Sequence, residues 1–158
     1  LEQHGACVHA LLIASQRSPH YHKTRQNWHQ MSAEKLIDCL VKLGGINAQD
    51  AATPEFYELF LSTIRADLEA SDGYAPTGKA PLTCPIHVCH GLHDQVIDRQ
   101  ATRGWIDVTA NTVEWREFNA GHFLFDEQKD IWLQDVKKVL ATLSLHMPPT
   151  SLGNHTHV

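Results

Sequence analysis

The order in which strand-like and helix-like segments alternate restricts this chain to very few folds. ACVHALLIAS, residues 6–15, is apolar almost without interruption over a length that suits a strand buried on both faces better than an amphipathic surface helix. The polar stretch 17–29, RSPHYHKTRQNWH, holds Pro19, shows no period and reads as a loop. Ser32 then stands as the N-cap of AEKLIDCLVKL, where Leu36, Ile37, Leu40 and Val41 form one stripe and Gly44-Gly45 stops the helix. Thr53 and Pro54 open a second helix, along which Phe56, Phe60, Ile64 and Leu68 recur at four-residue spacing beside Tyr57 and Leu61. After the turn-rich connector 73–85, IHVCHG at 86–91 is a short strand closed by glycine. Asp98 caps a short helix through Trp105, and TVEWREF at 112–118 is the third strand. EQKDIWLQDVKKVLATL closes the pattern as a helix with Ile131, Trp132, Val136, Val139, Leu140 and Leu143 on one side. Strand, helix pair, strand, helix, strand, helix is the alternation that builds a parallel sheet with right-handed crossovers, an α/β fold. The helix pair exceeds what a crossover needs, so part of it is expected to stand off the sheet as a cap.

At 158 residues, 42% of them hydrophobic, the chain suits one domain with a real core. Its 13 Lys and Arg against 18 Asp and Glu leave a formal charge of −5 and no long basic run, which argues against nucleic acid as a partner. The apolar stretch 6–14 is too short to cross a bilayer, and no signal-peptide series precedes it, so the expectation is a cytoplasmic chain with no membrane partner. Cys7, Cys39, Cys84 and Cys89 lie in apolar segments without C-x-x-C spacing, as reduced thiols packed among hydrophobes would. The opening LEQHG has the form of a last helical turn stopped by Gly5, and the tail from His146 with Pro148-Pro149 is expected to hang loose.

Loops at the carboxyl ends of parallel strands project side chains into one crevice. Asp94 follows the second strand in GLHD, and His122 follows the third in NAGH. Alone, Asp94 would be a turn-forming residue. Together the two form an acid and an imidazole in the chain order that α/β-hydrolases use, the carboxylate fixing the ring so that it can take a proton from a nucleophile. In CPIHVCHGLHD a zinc site of Cys84, His87, Cys89, His90 and His93 fails, because strand alternation puts His87 and Cys89 on the face opposite His90. No metal or cofactor is expected. Phe56, Tyr57 and Phe60 are core packing or the lining of an acyl channel, and Arg65 and Asp67 are accounted for by a helix-end ion pair.

SQRSPH at 15–20, LIDCLVKLGG at 36–45, LFLSTIRADLEASDGY at 59–74, PLTCPIHVCHGLHDQVI at 81–97 and AGHFLF at 120–125 together resemble the C-terminal portion of a type II thioesterase. These are the stand-alone α/β-hydrolases that accompany polyketide and nonribosomal peptide synthetases. The resemblance implies an α/β-hydrolase fold, with a parallel sheet flanked by helices and a helical lid over an acyl pocket, the lid formed by residues 20–76. It makes residues 1–158 the C-terminal part of one such domain, with Asp94 and His122 as acid and base of a triad. Phe123 and Leu124 are expected to anchor the His122 loop against the core. The family's G-H-S-x-G elbow has no counterpart here, so the serine and the oxyanion-hole loop are expected upstream of Leu1.

The implied activity is hydrolysis of acyl thioesters from the phosphopantetheine arms of acyl or peptidyl carrier proteins, an editing reaction. Arg17, Lys23 and Arg25 read as a solvated loop, and in a functional reading as a small basic edge meeting the carrier's acidic surface or its phosphate. The competing readings are a carboxylesterase or acyltransferase of the same superfamily, and a non-catalytic half-domain that binds a partner through an open sheet edge. A truncated sheet of this kind should expose apolar surface and self-associate.

Overall fold

A computed structural model of the chain describes residues 7–21, 27–76, 78 and 80–146. Three strands, β1 (Leu11–Ala14), β2 (Ile86–Gly91) and β3 (Val113–Phe118), form a parallel sheet in the order β1-β2-β3. The register pairs Leu11 with Ile86, and Ile86 in turn with Val113. β2 is central and buried because its alternating residues meet a helical layer on each face. Ile86 and Val88 pack with Trp105 on one side, while Cys89 packs with Phe118, Ala120 and Leu124 on the other.

β1 departs from expectation. Only four residues of the apolar run are extended, and none of them is fully buried. Burial on both faces requires a strand on each side, and among the described residues β1 has a neighbour only in β2.

Between β1 and β2 lie a 3-10 turn (Trp28–Gln30) and the helices α1 (Ala33–Lys42), α2 (Ala48–Ala51), α3 (Pro54–Leu59) and α4 (Leu61–Gly73). The Ser32 hydroxyl accepts from Lys35 N, as its cap position requires, and Leu36 and Ile37 are the buried members of the α1 stripe. Gly44 has φ +79, the left-handed turn by which the chain leaves the helix. The expected second helix is broken: Phe60, with φ −108, ends α3 and begins α4. Its ring, 53% exposed, stacks at 5.4 Å on Phe56 rather than entering the core. Neither α3 nor α4 holds a buried residue, so the aromatic stripe is not core packing. The short α2, capped by Asn47, has no apolar period that would announce it.

Arg65 forms no ion pair with Asp67 among the described residues. Its guanidinium donates instead to the carbonyls of His29 and Met31 (2.7 Å for the latter), which pins α4 to the 3-10 turn. These buried-end carbonyls need donors that a helix terminus cannot supply, and a planar fork fits two at once.

After β2, Asp98 caps α5 (Arg99–Arg103) by accepting from Ala101 N at 2.8 Å, and a 3-10 turn (Gly104–Asp107) carries Trp105 onto the sheet. After β3 come the single turn α6 (Leu124–Glu127) and α7 (Lys129–His146). Trp132, Val136, Val139 and Leu143 turn partly inward, but Ile131 and Leu140 of the expected face are exposed. The opening LEQHG, Lys23, Arg25 and the Pro148-Pro149 tail lie outside the described residues.

Candidate active site

Two loops at the carboxyl end of the sheet carry Asp94 and His122, and backbone hydrogen bonds stitch them together. Leu92 N donates to Phe118 O at 2.9 Å and His93 N to Ala120 O at 2.9 Å. The loops meet at Gly91, where an added Cβ would lie 2.1 Å from Gly121 O and 2.6 Å from Ala120 O. The closing glycine of IHVCHG is thus required by close backbone approach. Gly121 N donates to both oxygens of Glu127, at 3.1 and 2.9 Å, which clasps the His122 loop to α6.

Within this frame His122 Nδ1 lies 2.9 Å from Asp94 Oδ2. An ionised carboxylate only accepts, so Nδ1 carries the proton and Nε2 is the nitrogen left for chemistry. The Asp94 side chain has no solvent exposure. Its other oxygen accepts from Val96 N at 2.8 Å and Ile97 N at 2.9 Å. Burial, the largest single influence, pushes the Asp94 carboxyl up. The hydrogen bonds from His122, Ile97 and Val96, with the attraction of His122, outweigh it and hold the group below its ordinary value. An aspartate in this setting stays ionised and keeps the ring oriented. Leu124 is fully buried against Cys89 and Phe118 and anchors the loop as expected. Phe123 does otherwise: its ring meets His122 edge-on at 5.1 Å and reaches across to Gly45, at the end of α1.

The pair faces a cavity of about 610 Å³, walled by Ala14–Arg17 after β1, by Trp28, Leu40, Leu43 and Leu68 of the helical segment, and by Val96 and Ile97. That volume suits a small-molecule substrate, and the lining mixes apolar walls with a few polar groups. Arg17, read from sequence as part of a basic edge, turns inward instead. It donates to Ser71 O at 3.0 Å and lies 3.5 Å from Asp72, tying the β1 exit to the end of α4. Trp105 Nε1 donates to Gln16 O at 3.0 Å and holds the same exit from beneath.

One lining residue carried no local signal. Ser15 sits buried at the end of β1 with φ 45, and its hydroxyl has no hydrogen-bond partner among the described residues. Such strain in a non-glycine residue belongs to sites that the surrounding structure over-determines. The histidines and cysteines near β2 diverge as alternation requires. His87 lies 3.3 Å from Glu114, His93 bonds Asn119 at 2.9 Å, and Cys89 is packed in the core. Among the described residues no three His, Cys, Asp or Glu side chains converge.

Residues 1–140 match the family model described as Thioesterase domain. The chain belongs to the thioesterase family. The probable anguibactin biosynthesis thioesterase AngT of Vibrio anguillarum is 26% identical over 141 residues, which are 87% of this chain and 56% of AngT. Thioesterase PikA5 of Streptomyces venezuelae is 24% identical over 157 residues, covering 96% of this chain and 56% of PikA5. Among solved structures, the type II thioesterase BorB from the borrelidin biosynthetic cluster superposes with a TM-score of 0.76 at 28% identity, over 87% of this chain and 56% of BorB. This thioesterase-family chain therefore spans little more than half the length of the relatives it matches. Its parallel sheet, with α5 on one face and α7 on the other, is the arrangement of an α/β-hydrolase.

Proposed function

We propose that these residues supply the acid and base of a type II thioesterase that hydrolyses acyl thioesters from carrier-protein phosphopantetheine arms. The supporting observation is the His122–Asp94 hydrogen bond of 2.9 Å beside a partly open cavity whose lining mixes apolar and polar side chains. The nucleophile in this reading is a serine outside residues 1–158. His122 Nε2 takes the serine proton as Oγ attacks the thioester carbonyl carbon, then returns it to the departing pantetheine thiolate. Water, deprotonated by the same nitrogen, attacks the acyl-serine ester; the bond to serine Oγ breaks, Nε2 returns the proton to that oxygen, and the carboxylic acid leaves. Asp94 holds the ring and offsets the charge of the imidazolium that forms twice in the cycle. The helices between β1 and β2, within residues 20–76, act as the lid, since Trp28, Leu40, Leu43 and Leu68 wall the cavity. A carrier protein is the partner and the cytoplasm the place of action; no described helix is long and apolar enough to cross a membrane.

The test is the complete gene product with acyl groups loaded on carrier protein. His122→Ala should lower turnover by roughly three orders of magnitude or more. Near-wild-type hydrolysis by that variant sinks the assignment. Equal or greater rates on simple oxygen esters would move the reading to a carboxylesterase.

A further inference from the structure

α5 separates two cavities. Asp98 and Ala101 face the first, beside His122, whereas Arg99, Thr102 and Arg103 line a second of about 670 Å³, with His90, Ile106, Trp115, Arg116 and Glu117. The register places His90, Trp115 and Glu117 on the α5 face of the sheet, the face that carries Ile86 and Val88.

The charges here do not all face the opening. Arg116 turns its Nε to Asp135 of α7, 3.4 Å away on the opposite face. Arg99 is 2.7 Å from Glu117, which leaves that couple neutral. Arg103 has no carboxylate within ion-pair distance among the described residues. The cavity therefore carries one uncompensated positive charge. At its floor His90 is 6% exposed, and its Nδ1 has no hydrogen-bond partner among the described residues. A buried polar atom left unpaired is destabilising, and an acceptor entering beside a protonated Nδ1 offsets that cost. The Thr102 hydroxyl donates to Arg99 O at 2.9 Å and is no hydrogen-bond partner of that nitrogen. Two of the lining residues offer apolar surface: Trp115 is 40% and Ile106 58% exposed.

We infer that this second cavity binds a carboxylate with an apolar body, its acid group held by Arg103 and the His90 ring and its body laid against Trp115 and Ile106. A single free cation matches a monoanion, and Glu117 at the rim disfavours a dianion such as phosphate. Nδ1 is shielded from solvent, so the acid reaches it on a turn of the ring about Cβ–Cγ, a torsion with broad two-fold wells. The inference stands apart from the proposed reaction, because none of its residues holds Asp94 or His122. An acyl-chain acid and an aryl acid share the required chemistry.

NMR titration of the complete gene product with octanoate, 3-phenylpropionate, acetate and inorganic phosphate tests it, following the Trp115 indole and His90 ring resonances. The expected result is saturable binding of octanoate or 3-phenylpropionate that moves both resonances, with acetate and phosphate at least about tenfold weaker. The stronger of the two larger acids identifies the source. Arg103→Gln should weaken binding about tenfold, while Lys42→Gln, which removes a cation of α1 outside both cavities, should leave it unchanged. Trp115→Ala should weaken the larger acids but not acetate, a check that survives if Arg103→Gln fails to fold. Absence of any shift up to about 10 mM ligand, phosphate binding as tightly as 3-phenylpropionate, or equal weakening by Lys42→Gln would overturn the inference.

Discussion

Asp94 shows how one side chain joins stability to chemistry. Its carboxyl sits below the ordinary 3.8, so the folded state binds that proton less readily than the unfolded chain. The stability this contributes is complete above the ordinary value and is lost as pH falls below it toward the folded one. Thermal melts between about pH 5 and pH 2.5 should show that loss, and Asp94→Asn should flatten it. Asp94→Ala also strands the N–H groups of Val96 and Ile97, and should cost roughly 2–3 kcal/mol in denaturant unfolding. The thiols give a second residue-scale test. Burial raises the Cys89 thiol to about 11, helped by the nearby Asp135 and only partly opposed by the Trp132 indole and Arg116. In the native chain an aromatic disulfide reagent should modify the exposed Cys7 quickly and leave Cys84 and Cys89 intact until unfolding. Packing all four among hydrophobes, as their apolar neighbours suggest, thus holds for the last two and fails for Cys7. The placing of Asp94 and His122 was legible because each lies in the short loop that follows a strand. Ser15 and the Glu127 clasp were not, because neither a left-handed φ nor a contact across six residues of irregular chain leaves a sequence period.

Elements differ in how much of them their own residues decide. β2 was legible to the residue, since five of its six positions are buried and a short run of apolar residues interrupted only by two histidines ends at a glycine. Its glycine gives a sharp prediction: Gly91→Ala drives a methyl into the carbonyls of Gly121 and Ala120. That should cost about 3 kcal/mol or more, or displace the His122 loop. A crystal structure of the variant with the His122–Asp94 bond intact and unfolding unchanged would show that the loops yield freely. The long helix expected after Thr53 splits at Phe60 because its aromatic face finds no core to lie on, and periodicity alone cannot report what faces a stripe. Arg17 and Arg65 changed role for a related reason. Each completes carbonyls at an element end that sequence reading does not bring near it.

For the whole molecule the decisive feature is that, among the described residues, the sheet has β1 as an edge. Leu12 on that edge strand and Ile131, Leu133 and Leu140 on α7 are exposed apolar side chains. The purified 158-residue chain should self-associate, with a sedimentation coefficient that rises with concentration, and Leu12→Lys should lessen the rise by placing a charge on the open edge. A concentration-independent monomer would count against it. By itself the sequence determined the strand and helix order, the parallel α/β class, and the placing of an aspartate and a histidine after adjacent strands, because periodicity and chain order are local properties written in consecutive residues. Only the tertiary structure decided that Asp94 and His122 come within 2.9 Å, that Phe123 bridges to the helical segment rather than entering the core, and that Arg103 lines one cavity with a buried His90. Those outcomes depend on side chains far apart in the chain competing for the same volume and the same hydrogen-bond donors, and no window of neighbouring residues contains that competition.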